Sequence, residues 1–200
     1  MLKLIHGQPV GLPGLVALVL GGALFFASLV RHSLRTSGED KASGWRSGLS
    51  RLGIAIQSAG FAATGFGAIR PVLAPGSAAA LLEGALVALL MAGAVGLFTA
   101  ASRTMGANWS LAARVREDHQ LCTQGVFGRL RHPIYTGMGL FLAGLAIGVG
   151  HEANLVVGLP LFLIGTAIRV REEERLLRDR FGGAYDSYAA RVPRFLPGLL

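Results

Sequence analysis

The sequence predicts an all-α, polytopic membrane protein with about five transmembrane helices, the last two a short helical hairpin, plus a cytosolic C-terminal amphipathic helix. Three observations predict it. Of the 200 residues, 52% are hydrophobic and only 15% charged, where soluble domains carry about 25% charged residues. Apolar runs near the length of about 20 residues that crosses a bilayer recur along the chain. The basic residues gather in the segments between those runs. Two hundred residues supply several spans and hardly a soluble domain besides, so residues 1–200 are expected to form one membrane-embedded domain: a three-span part, 1–102, and a second part, 103–200.

The first apolar block, Leu12 to Val30, is longer than a signal-peptide core, and its basic residues follow rather than precede it, so it reads as a retained span. The second, Leu52 to Ile69, contains Gln57, Ser58, Thr64 and several glycines; the third runs from Leu81 to Ala101. The fourth, Tyr135 to Ile168, is too long for one helix and is interrupted by Gly150, His151, Glu152, Ala153 and Asn154. That break reads as a tight turn between two antiparallel spans. Gly144 and Gly148 stand in a small-xxx-small spacing that permits close helix approach in lipid. Pro160 is expected to kink or locally unwind the fifth span.

Seventeen of the 19 Lys and Arg residues fall in three segments: Arg31 to Arg51, Arg103 to Arg131, and Arg169 to Arg194. Five spans with the N-terminus outside and the C-terminus inside place all three in the cytosol. The net charge of +8 then answers to topology and anionic headgroups of the membrane lipids, not to nucleic acid. Cys122 is the sole cysteine, which excludes an intrachain disulfide and a cysteine metal cluster.

Two polar clusters border the last hairpin. Before it come Asn108, Trp109, Ser110, His119, then Arg131, His132, Pro133 and Tyr135, with the proline where a helix can start. These residues read either as an interfacial anchor or as one wall of a polar site. After it come Arg169, Arg171, Glu172, Glu173, Glu174 and Arg175, with Arg169 and Glu173 on one helical face. They read either as a solvated charged helix or as the opposite wall. Leu176, Leu177, Phe181, Tyr185 and Tyr188 then recur at helical spacing, interrupted at Gly182 and Gly183, as an amphipathic interfacial cover. Pro193 and Pro197 stop helix formation.

The stretch from His119, Leu121, Thr123 and Gly125 to Arg131, His132, Pro133, Tyr135 and Gly137 resembles the signature of isoprenylcysteine carboxyl methyltransferases and related phospholipid methyltransferases. Glu173, Glu174, Leu177, Phe181, Gly182, Tyr185, Tyr188 and Pro193 resemble the same family's tail, so the resemblance covers about residues 103–200. It implies S-adenosylmethionine-dependent methyl transfer to a lipophilic acceptor at the cytosolic face, in a cradle between the loop before span four and the segment after span five. The implied cofactor-binding residues are His119, Leu121, Gly125, Arg131, His132, Pro133, Tyr135, Gly137, Glu173 and Glu174. Arg169 and Glu173 are the implied catalytic pair, and no metal is required. Two rivals remain open: a sterol-type membrane reductase using NADPH, and a non-enzymatic transporter or assembly protein, for which no internal repeat is found.

Overall fold

A computed structural model of the chain describes residues 6–37, 48–106 and 121–196. It consists of α1 (Leu12–Ser37), α2 (Gly48–Gly65), α3 (Ala78–Met105), α4 (Pro133–Val149), α5 (Leu155–Phe181) and the short α6 (Gly183–Ala189), with two strands, β1 (His6–Gly11) and β2 (Ala68–Leu73). Each apolar block is helical over most of its length, the fourth as two helices. Leu12–Leu34, Ala78–Met105 and Glu152–Phe181 are long and apolar enough to cross a membrane. The apolar α4 has 17 residues, about 25 Å at 1.5 Å per residue. Outward-facing leucines and valines stay bare, with Leu82 at 71%, Leu89 at 70% and Val156 at 78% exposure, a surface suited to lipid rather than water.

The strands are an addition to the all-α expectation. The second block is helical only to Gly65; Gly67 takes a φ of 137°, Pro71 cannot continue a helix, and Ala68–Leu73 pairs in parallel with β1 through an irregular register. Since β1 leads into α1 and β2 precedes α3, parallel pairing starts α1 and α3 side by side at one end of the bundle. The hairpin turn lies at that same end. Gln8 N donates to Gly150 O, and Gly150 caps α4 in the left-handed conformation that glycine adopts without strain.

The helices sort into two packed groups: α3 packs on α1 and α4, while α5 packs on α2. Hence α4 and α5, though joined by a tight turn, diverge onto different partners. Small residues decide these pairings. On α2 and α5, a Cβ at Gly60 would stand 2.8 Å from Gly158 O, and one at Gly165 would stand 2.6 Å from Gly53 O. On α4, a Cβ at Gly144 or Gly148 would meet Met91 Sδ at 3.2 Å or Leu18 at 3.1 Å, consistent with the close approach expected of that spacing. Phe61 joins the groups, stacking edge-on against Phe141 of α4 at 5.7 Å and Phe162 of α5 at 5.9 Å. α5 runs unbroken through Pro160. At its far end the helix stops at Gly182, with a φ of 51°, so the expected amphipathic segment divides: Leu176 to Phe181 extend α5, and α6 carries Tyr185 and Tyr188 inward.

Candidate active site

The site forms at the end of the bundle away from the strands. α3 ends there, and α4 begins with Pro133 in its first turn, where the missing N–H is no loss. The segment leading into α4 is held by the tail: Arg131 N donates to Pro193 O at 2.8 Å and His132 N to Arg194 O at 3.0 Å. Thr136 Oγ1 donates to Phe195 O. Upstream, Gly125 opens a 3-10 turn (Gly125–Gly128) with a φ of +59°, and a Cβ there would lie 3.1 Å from Thr104 Oγ1. Glycine serves both demands. Tyr188 of α6 donates its hydroxyl to Phe127 O at 2.7 Å, closing the ring of segments.

Three consecutive carboxylates leave α5 on different faces because successive helical residues are rotated by about 100°. Glu172 pairs with Arg175 at 2.8 Å. Glu174, its side chain 3% exposed, forms an ion pair with Arg131 Nη1 at 3.1 Å and accepts from His132 Nε2 at 3.1 Å and from Arg194 through Nε at 3.0 Å and Nη2 at 2.9 Å. Arg178 lies 3.8 Å away. A buried carboxylate with this many cationic donors has its desolvation offset by hydrogen bonds, and the Glu174 contact in turn raises Arg194.

Glu173 is left facing a different set. The Tyr135 hydroxyl donates to its Oε1, and His132 Nδ1 stands 3.7 Å from Oε2. The His132 ring therefore lies between two carboxylates, one at each nitrogen. Burial pushes its pKa down, but the hydrogen bonds and charges of Glu173 and Glu174 together outweigh burial and raise it above the ordinary histidine value. Imidazolium, a donor at both nitrogens, satisfies this arrangement. The Arg169 guanidinium lies 4.9 Å from the Tyr135 ring centroid and donates Nη1 to Gln57 Oε1 at 2.7 Å. Arg169 and Glu173 are thus linked through the two ends of Tyr135.

Beside these groups is a cleft lined by Met105, Leu121, Phe127, Leu177 and the tyrosines of α6, with Arg131 and His132 at its polar side and about 400 Å³ of empty space including its mouth. Two buried polar atoms of its lining, Arg131 Nε and the Tyr185 hydroxyl, have no hydrogen-bond partner; they belong to neighbouring groups outside bonding geometry. Orphaned donors beside an apolar wall suit a ligand that is part polar and part aromatic. Among the residues expected at the site, Leu121, Arg131, His132, Tyr135, Arg169, Glu173 and Glu174 come together, and Pro133 and Gly125 shape the backbone under them. Gly137 instead packs against α3, where a Cβ would stand 3.1 Å from Ala94 O. His119, Asn108, Trp109, Ser110 and Pro197 lie outside the described residues.

Several contributors carry no motif. Gln57 is a single amide within an apolar block, Met105 and Phe127 look like any hydrophobic residue, and Arg194 belongs to a tail marked only by prolines. Tyr185 and Tyr188 of α6 are signalled by their helical spacing, which points to a cover rather than a wall, and by the resemblance to the family's tail.

Residues 82–184 match the model of the phospholipid methyltransferase family. The chain is 31% identical over 87 residues to the protein-S-isoprenylcysteine O-methyltransferase of Schizosaccharomyces pombe, covering 44% of this chain and 37% of that protein. It is 30% identical over 96 residues to protein-S-isoprenylcysteine O-methyltransferase B of Arabidopsis thaliana, covering 47% and 49% respectively. The match thus spans half or less of these relatives' length. With the paired basic and acidic motifs in contact and more than half of its residues within the family match, the chain belongs to the phospholipid methyltransferase family.

Proposed function

We propose that the protein transfers a methyl group from S-adenosylmethionine to a lipophilic acceptor bearing a carboxylate, of the isoprenylcysteine kind named in its relatives. One observation carries this reading: Arg131, His132 and Tyr135 meet Glu173 and Glu174 beside a cleft whose lining contains orphaned polar atoms. Five spans, with the N-terminus outside and the basic segments inside, put the site at the cytosolic face.

The residues fit the donor. Arg131 and His132 offer the cationic groups that a carboxylate seeks; Leu121, Met105, Phe127 and Leu177 offer apolar surface to an adenine ring. Glu173 is the acidic residue available to a cation or hydroxyl, because Glu174 is engaged by several cationic side chains and Glu172 pairs with Arg175. S-adenosylmethionine supplies an activated methyl for in-line displacement, so the protein's part is alignment and exclusion of water. A carboxylate acceptor is ionised at neutral pH and needs no general base. Arg169, across the Tyr135 ring from Glu173, is positioned to hold it.

The test uses protein purified in detergent. Calorimetry is expected to find S-adenosylmethionine binding to the wild type and no measurable binding to Arg131→Ala or Glu173→Ala, with membrane insertion intact. Labelled methyl is expected to enter an extractable lipid. Unchanged donor affinity in both variants, or binding of NADPH in place of the sulfonium donor, overturns the assignment.

A further inference from the structure

Two polar atoms in the wall of the cleft are left over by the contacts that hold the site together. Tyr185 is 1% exposed, and its hydroxyl has no hydrogen-bond partner among the described residues. The Arg131 side chain is 8% exposed and its Nη1 pairs with Glu174, yet its Nε is equally without a partner there. Both residues line the cleft, and the Arg131 charge acts on the Tyr185 hydroxyl, so the two groups are neighbours. The charge of Arg131 is already met by Glu174; what remains is a single N–H. Native structures rarely leave buried donors unpaired, because burial strips them of water.

The tyrosine ring is held where it is. Arg178 stands over it at 5.3 Å from the centroid and is itself bonded to Asp186 at 3.1 Å. Tyr188 meets it edge-on at 6.1 Å, with its own hydroxyl committed to Phe127 O. Leu177 and Val192 complete the packing. Burial raises the Tyr185 phenol above its ordinary value, so at neutral pH it is a hydroxyl with a proton to donate.

An O–H and an N–H side by side define the chemistry they suit. A guanidinium N–H cannot accept a hydrogen bond, and a ligand hydroxyl or amino group brings protons of its own. Among the polar groups of S-adenosylmethionine, the carboxylate alone offers two acceptor oxygens and no proton. We infer that the Tyr185 hydroxyl and Arg131 Nε together seat the methionine carboxylate of the donor, which makes Tyr185 a donor-binding residue rather than part of a cover. The inference rests on the methyl-transfer reading and specifies which end of the donor enters the polar side of the cleft.

Calorimetry on purified full-length protein in detergent tests it, with S-adenosylmethionine and its decarboxylated analogue as ligands and Tyr185→Phe as the variant. The wild type is expected to bind the decarboxylated analogue about tenfold or more weakly than S-adenosylmethionine. Tyr185→Phe is expected to lose about ten- to a hundredfold in affinity for S-adenosylmethionine, the range of one hydrogen bond to a charged group. Its affinity for the decarboxylated analogue is expected to stay within about twofold of wild type, at the precision of such assays. Without ligand the variant is expected to be no less heat-stable than the wild type, since the deleted hydroxyl has no partner in the free protein. Only the thermal stabilisation conferred by S-adenosylmethionine is expected to shrink.

Equal binding of the two ligands by the wild type overturns the inference without any variant. So does an unchanged affinity of Tyr185→Phe for S-adenosylmethionine, or an equal loss for both ligands, which would place the hydroxyl against another part of the donor. A fall in ligand-free stability overturns it as well, being the mark of a structural role. A wild type that binds neither ligand overturns the underlying reading with it.

Discussion

Glu174 and Arg169 lie little more than one turn apart on α5, both buried, yet their surroundings differ in kind. Glu174 is met by charge: three arginines and a histidine reach it. Arg169 is oriented by an amide, with an aromatic ring beneath it. The difference separates two tasks. A carboxylate gripped from the loop before α4 and from the tail joins distant segments into one wall. A guanidinium held by a neutral amide ties α5 to α2 instead.

The largest expected effect breaks the first of these surroundings. Glu174→Gln leaves Arg131, His132 and Arg194 facing a neutral amide in a buried setting, and removing one partner of a buried ionic cluster costs about 3–5 kcal/mol. Thermal inactivation in detergent is expected to accelerate sharply, with loss of donor binding; wild-type half-life would show that the cluster is not what joins the segments.

A smaller effect sharpens the boundary between the two. Tyr135 belongs to both, its ring under Arg169 and its hydroxyl on Glu173. Tyr135→Phe keeps the ring and removes a hydrogen bond to a charged group, about 1.5–3 kcal/mol. The expected outcome is a fall in turnover of about ten- to a hundredfold, at that free energy, with the fold preserved by far-UV circular dichroism. An unchanged rate would remove the hydroxyl from the alignment of Glu173.

The smallest effect is a pH dependence. Because the folded-state pKa of His132 is raised, its contribution to stability is fully present below the unfolded histidine value near 6.5 and is lost as pH rises through the higher folded value. Detergent half-life is expected to fall between neutral and mildly alkaline pH in the wild type, and this slope is expected to flatten in His132→Asn. A slope retained in the variant would assign the titration to another group.

The helices were readable in the sequence because a long apolar stretch declares itself residue by residue. The two walls were readable because Arg131-His132-Pro133 and Glu173-Glu174 border the same hairpin, whose turn at Gly150 is equally local. What escaped depends on partners far along the chain. The strands His6–Gly11 and Ala68–Leu73 are short, each contains a proline, and each exists only by virtue of the other. Gln57 in an apolar run looks like a minor interruption until Arg169 is placed opposite, and that placement comes from glycines whose role is visible only in the packed pair. The divergence of α4 and α5 was hidden for the same reason: their turn specifies direction, while α2 and α3 specify neighbours.

The backbone bonds from Arg131 and His132 to the tail carry a further consequence for biogenesis. Thr136, next to this ladder, is bound to a residue 59 positions later, so the loop before α4 emerges from the ribosome well ahead of its support. Both helices of the last hairpin lie between the loop and its support, so the wall they border is completed only after Pro193 and Arg194 have been made and can dock.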